Sequence, residues 1–355
     1  MPHSGSPRKR VHDRESERTA RKLVGDLLKT KEGESVAITC DTESDQNFVL
    51  SVEKAATSLG ARPIVIRTNA PPHVGRAAEP YLPLDSLVGA VKESDVWIEL
   101  NGKWLLYSKV WEEAMKRNRT RYMCLVGMSV DMARRCIGEV DVEEVLAFQR
   151  QIQRITKESK SMHYTTPGGT DVRFENDPDR PVLVEGDVSG PGEYMLLGQV
   201  DWAPLEESIE GTIAFDGSVN PPDELGRLKH PLRLEIKAGR VVGVHGGPEA
   251  RIYEKFLRSL NDENMYVLAH LSYGCNPGAK LTGNVLEDER VWGVLEWGLG
   301  NQSGAFKARD TVAISHSDGI TLKPTLEGDG TLIIKNGKYV HPDLAESARS
   351  LMPRK

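Results

Sequence analysis

The patterning of this chain changes near Lys160, and that change constrains the fold more than any other feature. Before it, short apolar runs alternate with segments of helical period. Leu23, Val24, Leu27 and Leu28 share one helical face within Glu15–Thr30, and "SVAITC" follows as a buried strand. "DQNFVLSVEKAATSLG" reads as a helix closed by a Gly, "RPIVIRT", "DVWIEL" and "TRYMCLV" as further strands, and Asp141–Ser159 as a long helix. Strands separated by helices predict a parallel sheet with helical crossovers. After Lys160 the segments are short and alternating. They include a hairpin turning at Ala238-Gly239, a helix over Pro248–Leu260, three strands ("YVLAHLSYG", "RVWGVLEWGLG", "TVAISHSDG") and a hairpin turning at Asn336-Gly337. The expected architecture is α/β: an N-terminal open parallel α/β sheet domain over 15–159 and a β-rich α+β domain over 160–345. Polar tails are expected at 1–14 and 346–355.

With 355 residues the chain is long enough for two ordinary domains. A net charge of -6 and a pI near 5.9 give no global nucleic-acid signature. The basic run "PRKR" at Pro7–Arg10 sits in the N-terminal tail. No apolar run reaches the roughly 18 residues of a membrane span, and no secretory signal is present, so a cytoplasmic protein is expected. Cys40, Cys124, Cys136 and Cys275 show no C-x-x-C spacing, which fits a reducing compartment without disulfides or a cysteine zinc site. No G-x-G-x-x-G follows the first strand, so dinucleotide binding is not inferred. "NGKWLLYSK" (Asn101–Lys109) follows a strand, where open parallel sheets place ligands, and contributes Trp104 and Tyr107 as candidate substrate contacts.

Residues with metal-binding chemistry recur along the second half. In a strand, positions i and i+2 share a face, so His316 and Asp318 project side by side. Such a pair can hold a metal or form an ion pair at a sheet rim. His270, between Ala269 and Leu271, and Glu296, between Leu295 and Trp297, sit in otherwise apolar strands, where a polar group is costly unless paired or coordinated. Glu249 opens a helix after "HGG", where the helix dipole alone accounts for a carboxylate. Two imidazoles and a carboxylate on one face of a metal leave positions open, as in non-haem iron(II) oxygenases. Glu296 and Glu249 would add carboxylates for a second metal or a general base. Tyr273 and Trp297, beside these positions, are expected to contact substrate.

"GRVVGVHGGPEA", "AHLSYGCNPGA", "GVLEWGLGNQ" and "HSDG" resemble the motif series of the aminopeptidase T type of metallopeptidase, and still more that of its relative, 2,5-dihydroxypyridine 5,6-dioxygenase. The resemblance covers most of the chain and is strongest over Arg233–Gly319. It implies an α/β domain followed by a metal-binding domain. Glu249 matches a peptidase Glu. His270 stands where the dioxygenase has a His and the peptidases a Glu. Glu296 stands where the peptidases have a His and the dioxygenase an apolar residue. His316 and Asp318 match a pair common to both. The dioxygenase set that holds one iron(II) is therefore implied at His270, His316 and Asp318. Near the position of a first-domain His thought to act as a base in the dioxygenase, this chain has Tyr107, which can hydrogen-bond a phenolic ligand.

Two function classes follow. One is an iron(II) dioxygenase opening a hydroxylated aromatic or N-heteroaromatic ring. The other is a hydrolase using zinc, manganese or cobalt, with one or two ions and with Glu296 or Glu249 taking a proton from water. A metal held purely for structure fits an open-sided set less well. A small-molecule substrate, no nucleic acid or membrane partner, and a homo-oligomer are expected.

Overall fold

The computed structural model describes residues 7–352, with side chains from Arg14 onward. The first helix runs Pro7–Arg21, so only residues 1–6 of the tail expected at 1–14 lie outside the described residues. The side chains of the basic run at Pro7–Arg10 lie outside them too. The C-terminal tail expected at 346–355 instead carries a helix, Ala345–Leu351, with 353–355 outside the described residues. The chain forms two compact units, Met1–Val142 with Gly186–Leu196, and Glu143–Glu185 with Leu197–Lys355.

The first unit holds a parallel sheet with strand order Arg62–Arg67, Ser35–Cys40, Val96–Glu99, Arg121–Cys124 and Gly192–Met195. Its core includes Val36, Ile38, Ile98 and the Trp97–Tyr122 pair, whose ring centroids lie 4.2 Å apart. Two departures from the expected boundary at 159/160 stand out. The helix Val142–Glu158 lies almost wholly in the second unit. Gly192–Met195 returns to pair with Arg121–Cys124 and becomes the last strand of the first sheet. Pairing that distant in sequence satisfies an otherwise open sheet edge and leaves no local pattern.

At the C-terminal rim of this sheet, two buried carboxylates fix the segment after Glu99. Asp41 accepts from the Gly102 and Lys103 amides at 2.8 and 3.1 Å. Glu99 accepts from the Leu105 amide at 2.5 Å and from the Tyr122 hydroxyl. Burial pushes the Glu99 carboxyl up to about 7, against the lowering effect of those two hydrogen bonds. The clamped segment contains Trp104, whose carbonyl accepts from the Gly75 amide at 3.0 Å, and Tyr107 at φ 67°. A left-handed backbone is rare for a bulky aromatic and has to be held by its surroundings.

The second unit is a pair of largely antiparallel sheets. One runs, in spatial order, Arg240–Gly246, Leu232–Lys237, Glu210–Phe215, Asp171–Glu175, Ser161–Thr165, Thr325–Gly328, Thr331–Lys335 and Lys338–Tyr339. The other, which carries the candidate residues, runs Gly226–Arg227, Ser218–Asn220, His316–Thr321, Leu295–Gly300, Leu268–Gly274, Gln199–Trp202 and Val182–Val184. Both expected hairpin turns are present: Ala238-Gly239 at φ 45° and 70°, and Asn336-Gly337 at 49° and 76°. Positive φ at both central residues is what a two-residue type I′ hairpin requires. The strand expected from Thr311 begins only at His316. The preceding stretch is a loop tied to the end of its neighbour by Asn301 N to Ser315 O at 3.0 Å and Gln302 N to Thr311 O at 3.1 Å.

The apolar faces of the two sheets meet in one core. Leu271, Tyr273, Leu295, Trp297 and Leu299 from the site sheet pack with Val172, Phe174, Ile213 and Leu234 from the other and with Phe148 and Ile152 of the long helix. Each such side chain, fully buried, contributes on the order of 2 kcal/mol. That packing leaves the alternate residues of the same strands for other work.

Candidate metal centre

Strand alternation and register assemble the site. Ser272 lies opposite Glu296, Gly298 opposite Asp318, and Gly300 opposite His316. His270, two residues before Ser272, shares its face. One ligand atom each from His270, His316 and Asp318 lies within 4.8 Å of the others, and all three residues are buried. Gly298 sits beneath them. A Cβ at that position would come within 2.8 Å of both imidazoles, so the absence of a side chain is what lets the two rings stack in parallel with centroids 5.1 Å apart. Phe306 covers the outer side of His270, stacked at 5.3 Å.

The polar partners show what the set is built to hold. His316 Nδ1 lies 2.7 Å from the Asn301 carbonyl, and Nε2 lies 2.7 Å from Asp318 Oδ1. With Nδ1–H donating to the carbonyl, a neutral ring turns its Nε2 lone pair toward a carboxylate oxygen. Two lone pairs at that distance need a positive species between them, a proton or a cation. Burial lowers the pKa of His270 and favours the neutral ring, and its Nδ1 has no hydrogen-bond partner. Burial pushes Asp318 up, but the neighbouring His316 and its hydrogen bond, then His270 and a hydrogen bond from Glu296, outweigh it, so the carboxyl stays below its usual range. Two imidazoles and one anionic carboxylate, buried around a common point, suit a divalent transition metal.

Glu296 is adjacent but outside the set of three. It is wholly buried, and its Oε2 lies 3.4 Å from His270 Nε2. Burial, then the charge of Asp318, pushes its carboxyl well above its usual range. Ser272 Oγ donates to Oε2 at 2.7 Å, while Oε1 has no partner. A second group of carboxyls includes buried Asp201, opposite Ser272, and part-buried Glu289, pushed up to about 8 by burial although Arg290 lies 2.6 Å away.

Three sequence expectations are corrected here. Glu249 does not join the set. It sits in the first turn of the helix Pro248–Ser259, which follows the edge strand of the other sheet, with Oε1 3.2 Å from His230 Nδ1. Its own backbone amide, with His230, holds its pKa low, as a helix N-terminus does. Tyr273 and Trp297 are core residues rather than substrate contacts, because each is one position out of phase with the polar face. Tyr273 stacks on Trp202 at 4.8 Å and accepts from Thr156, and Trp297 packs edge-on to Phe174 at 5.6 Å. Trp104 and Tyr107 belong to the first unit, in the clamped segment, where Tyr107 meets Trp111 edge-on at 5.5 Å.

Sequence reasoning missed Ser272, Gly298, Asn301 and Phe306. The first two could have been found by extending the i, i+2 rule from His270 and Glu296. The last two act through a loop whose path no local pattern discloses.

A family profile described as NicX, 2,5-dihydroxypyridine 5,6-dioxygenase, matches residues 21–341. A 2,5-dihydroxypyridine 5,6-dioxygenase of Pseudomonas putida KT2440 is 27% identical over 274 residues, 74% of this chain and 76% of that protein. The solved structure of 2,5-dihydroxypyridine dioxygenase from Pseudomonas putida KT2440 superimposes with a TM-score of 0.76 at 20% identity, covering 94% of this chain and 99% of that one. AmpT of Thermus thermophilus superimposes with a TM-score of 0.65 at 16% identity, covering 92% and 99%. At those identities the two structures speak for the fold.

Proposed function

The chain belongs to the 2,5-dihydroxypyridine 5,6-dioxygenase family, and from that premise we propose that it cleaves the ring of a hydroxylated N-heteroaromatic such as a dihydroxypyridine, with iron(II) held by His270, His316 and Asp318. The observation that carries the reading is the facing pair of acceptors, His316 Nε2 and Asp318 Oδ1, completed by the buried imidazole of His270. A bound iron(II) supplies the redox chemistry that lets O₂ react with an electron-rich ring. The rest falls to the protein. Asn301 fixes the His316 tautomer, as an outer hydrogen bond does for a ligating imidazole. Asp318 supplies the negative charge. Glu296, with Oε2 3.4 Å from His270 Nε2, is the carboxyl group placed to exchange a proton with a substrate hydroxyl. Tyr107 and Trp104 keep their expected role as substrate contacts only as part of this proposal, which the strained backbone of Tyr107 motivates within its own unit.

The hydrolase class is weaker. The family match favours a dioxygenase, and the carboxylates that would serve a second ion are not gathered: Glu249 lies elsewhere, and among the described residues the only set of three is His270, His316 and Asp318. Cytoplasmic location belongs to the same reading, since the four buried cysteines form no disulfide. Among the described residues no helix is long and apolar enough to cross a membrane. A homo-oligomer remains part of the proposal, to be read by sedimentation.

The test is oxygen uptake by protein loaded anaerobically with iron(II). Uptake of one O₂ per 2,5-dihydroxypyridine, with loss of the ring absorbance, is the expected result. Hydrolysis of aminoacyl anilides without O₂ by zinc- or manganese-loaded protein, and no oxygen uptake, would overturn it.

A further inference from the structure

We propose that Ser272, itself held by Gln199, is the positioning residue for Glu296; this rests on the metal-site reading above. Three adjacent strands carry the relay. Gln199 Nε2 donates to Ser272 Oγ at 3.0 Å, and Ser272 Oγ donates to Glu296 Oε2 at 2.7 Å. All three side chains are buried. A serine hydroxyl has one proton. The Gln199 amide occupies an acceptor lone pair of that hydroxyl, so the proton is committed to Glu296 and the direction of the relay is set.

The consequence lies at the carboxyl group. Oε2 is tied by Ser272 and sits 3.4 Å from His270 Nε2. Oε1 is the one carboxyl oxygen with no partner, although it is buried. A carboxyl terminal torsion is broad and two-fold when left to itself. Here the relay pins one oxygen and thereby fixes where the other points. The open atom is the one left free to hydrogen-bond a substrate hydroxyl. Buried polar atoms are almost always satisfied, so an orphan next to a metal-ligating imidazole marks a place for a ligand's hydrogen-bonding group. The relay thus acts through Glu296 and never touches the reacting ring.

Steady-state kinetics and the spectrum of the cobalt(II)-loaded protein test this together. Ser272→Ala is expected to lower kcat by about 10- to 100-fold, the cost of a misplaced catalytic group, with KM nearly unchanged. Ser272→Thr, which keeps the hydroxyl, should recover most of that loss. Ser272→Ala combined with Glu296→Gln should be no worse than Glu296→Gln alone, because the serine has nothing left to aim. Gln199→Leu, which leaves Ser272 in place, should give a smaller loss of the same kind and serves if Ser272→Ala folds poorly. If wild-type protein turns over no dihydroxypyridine, the dioxygenase reading fails on that result alone. The relay is then decided by the cobalt(II) visible bands, which Ser272→Ala and Glu296→Gln should shift in the same direction. Normal kcat in Ser272→Ala, losses that simply add in the double variant, or an unshifted cobalt spectrum would overturn the proposal. A lower melting temperature with unchanged kcat would overturn it too, by making Ser272 a packing residue.

Discussion

Glu99 and Glu296 are both strand carboxylates with no exposed surface, yet they do opposite jobs. Glu99 closes a strand of the parallel sheet and has both oxygens satisfied, one by the Leu105 amide and one by the Tyr122 hydroxyl. Glu296 lies within an antiparallel strand and has one oxygen tied and one with no partner. Burial raises the pKa of both. What separates a clamp from a reactive group is therefore the completeness of its hydrogen bonding, and burial alone does not distinguish them.

The sharpest test of that contrast removes the anion that Glu296 faces. Asp318→Ala should lose tight metal binding and reduce turnover by roughly a thousandfold or more, read by metal analysis and oxygen uptake. Full metal content in that variant would leave the His316–Asp318 pair a simple ion pair and place Glu296 beside no site at all. Glu296→Gln comes next. Turnover should fall about 100- to 10,000-fold with metal content retained, as for a lost proton-transfer group. Turnover near the wild-type level would make Glu296 a second Glu99.

Gly298→Ala should weaken iron(II) binding by about 10- to 100-fold, the range for disturbed ligand support, while the thermal transition barely moves. An equilibrium dialysis series settles it. Glu99→Gln probes the other member of the pair. The Glu99 carboxyl is raised in the folded state from 4.5 to about 7. Its stabilising contribution is therefore full below the unfolded value, erodes as pH rises, and is gone above about 7, a change of at most about 3 kcal/mol. Denaturant melts of wild type should show that slope, and Glu99→Gln should flatten it; an unchanged slope would assign the pH dependence to another group. Smallest of all, Tyr273→Phe should cost about 1 kcal/mol for its hydrogen bond to Thr156 and leave KM unaltered. A raised KM would restore Tyr273 as a substrate contact.

Much of the site was legible because strand parity is a local rule. It places His316 with Asp318 and Glu296 with Gly298. The same rule, applied one residue further, removes Tyr273 and Trp297 from the polar face, because neighbours in a strand point apart. Glu249 was read from a motif, but a first-turn helical carboxylate answers to its own backbone. The remaining misses are long-range. The Asn301 carbonyl reaches His316 across a loop of fourteen intervening residues, Gln199 reaches Ser272 from a strand seventy-three positions away, and Gly192–Met195 leaves the second half to finish the first sheet. None of these leaves a periodicity behind.

The bare Cα of Gly298 also bears on how this activity can be lost. Any glycine codon becomes alanine by one base change, and the added methyl would press on the two imidazoles rather than on the hydrophobic core. Such an allele would escape the quality control that removes misfolded chains, because its product would still fold. It would accumulate with its metal affinity weakened, missed by any screen that scores expression or solubility and exposed only by one that scores bound metal.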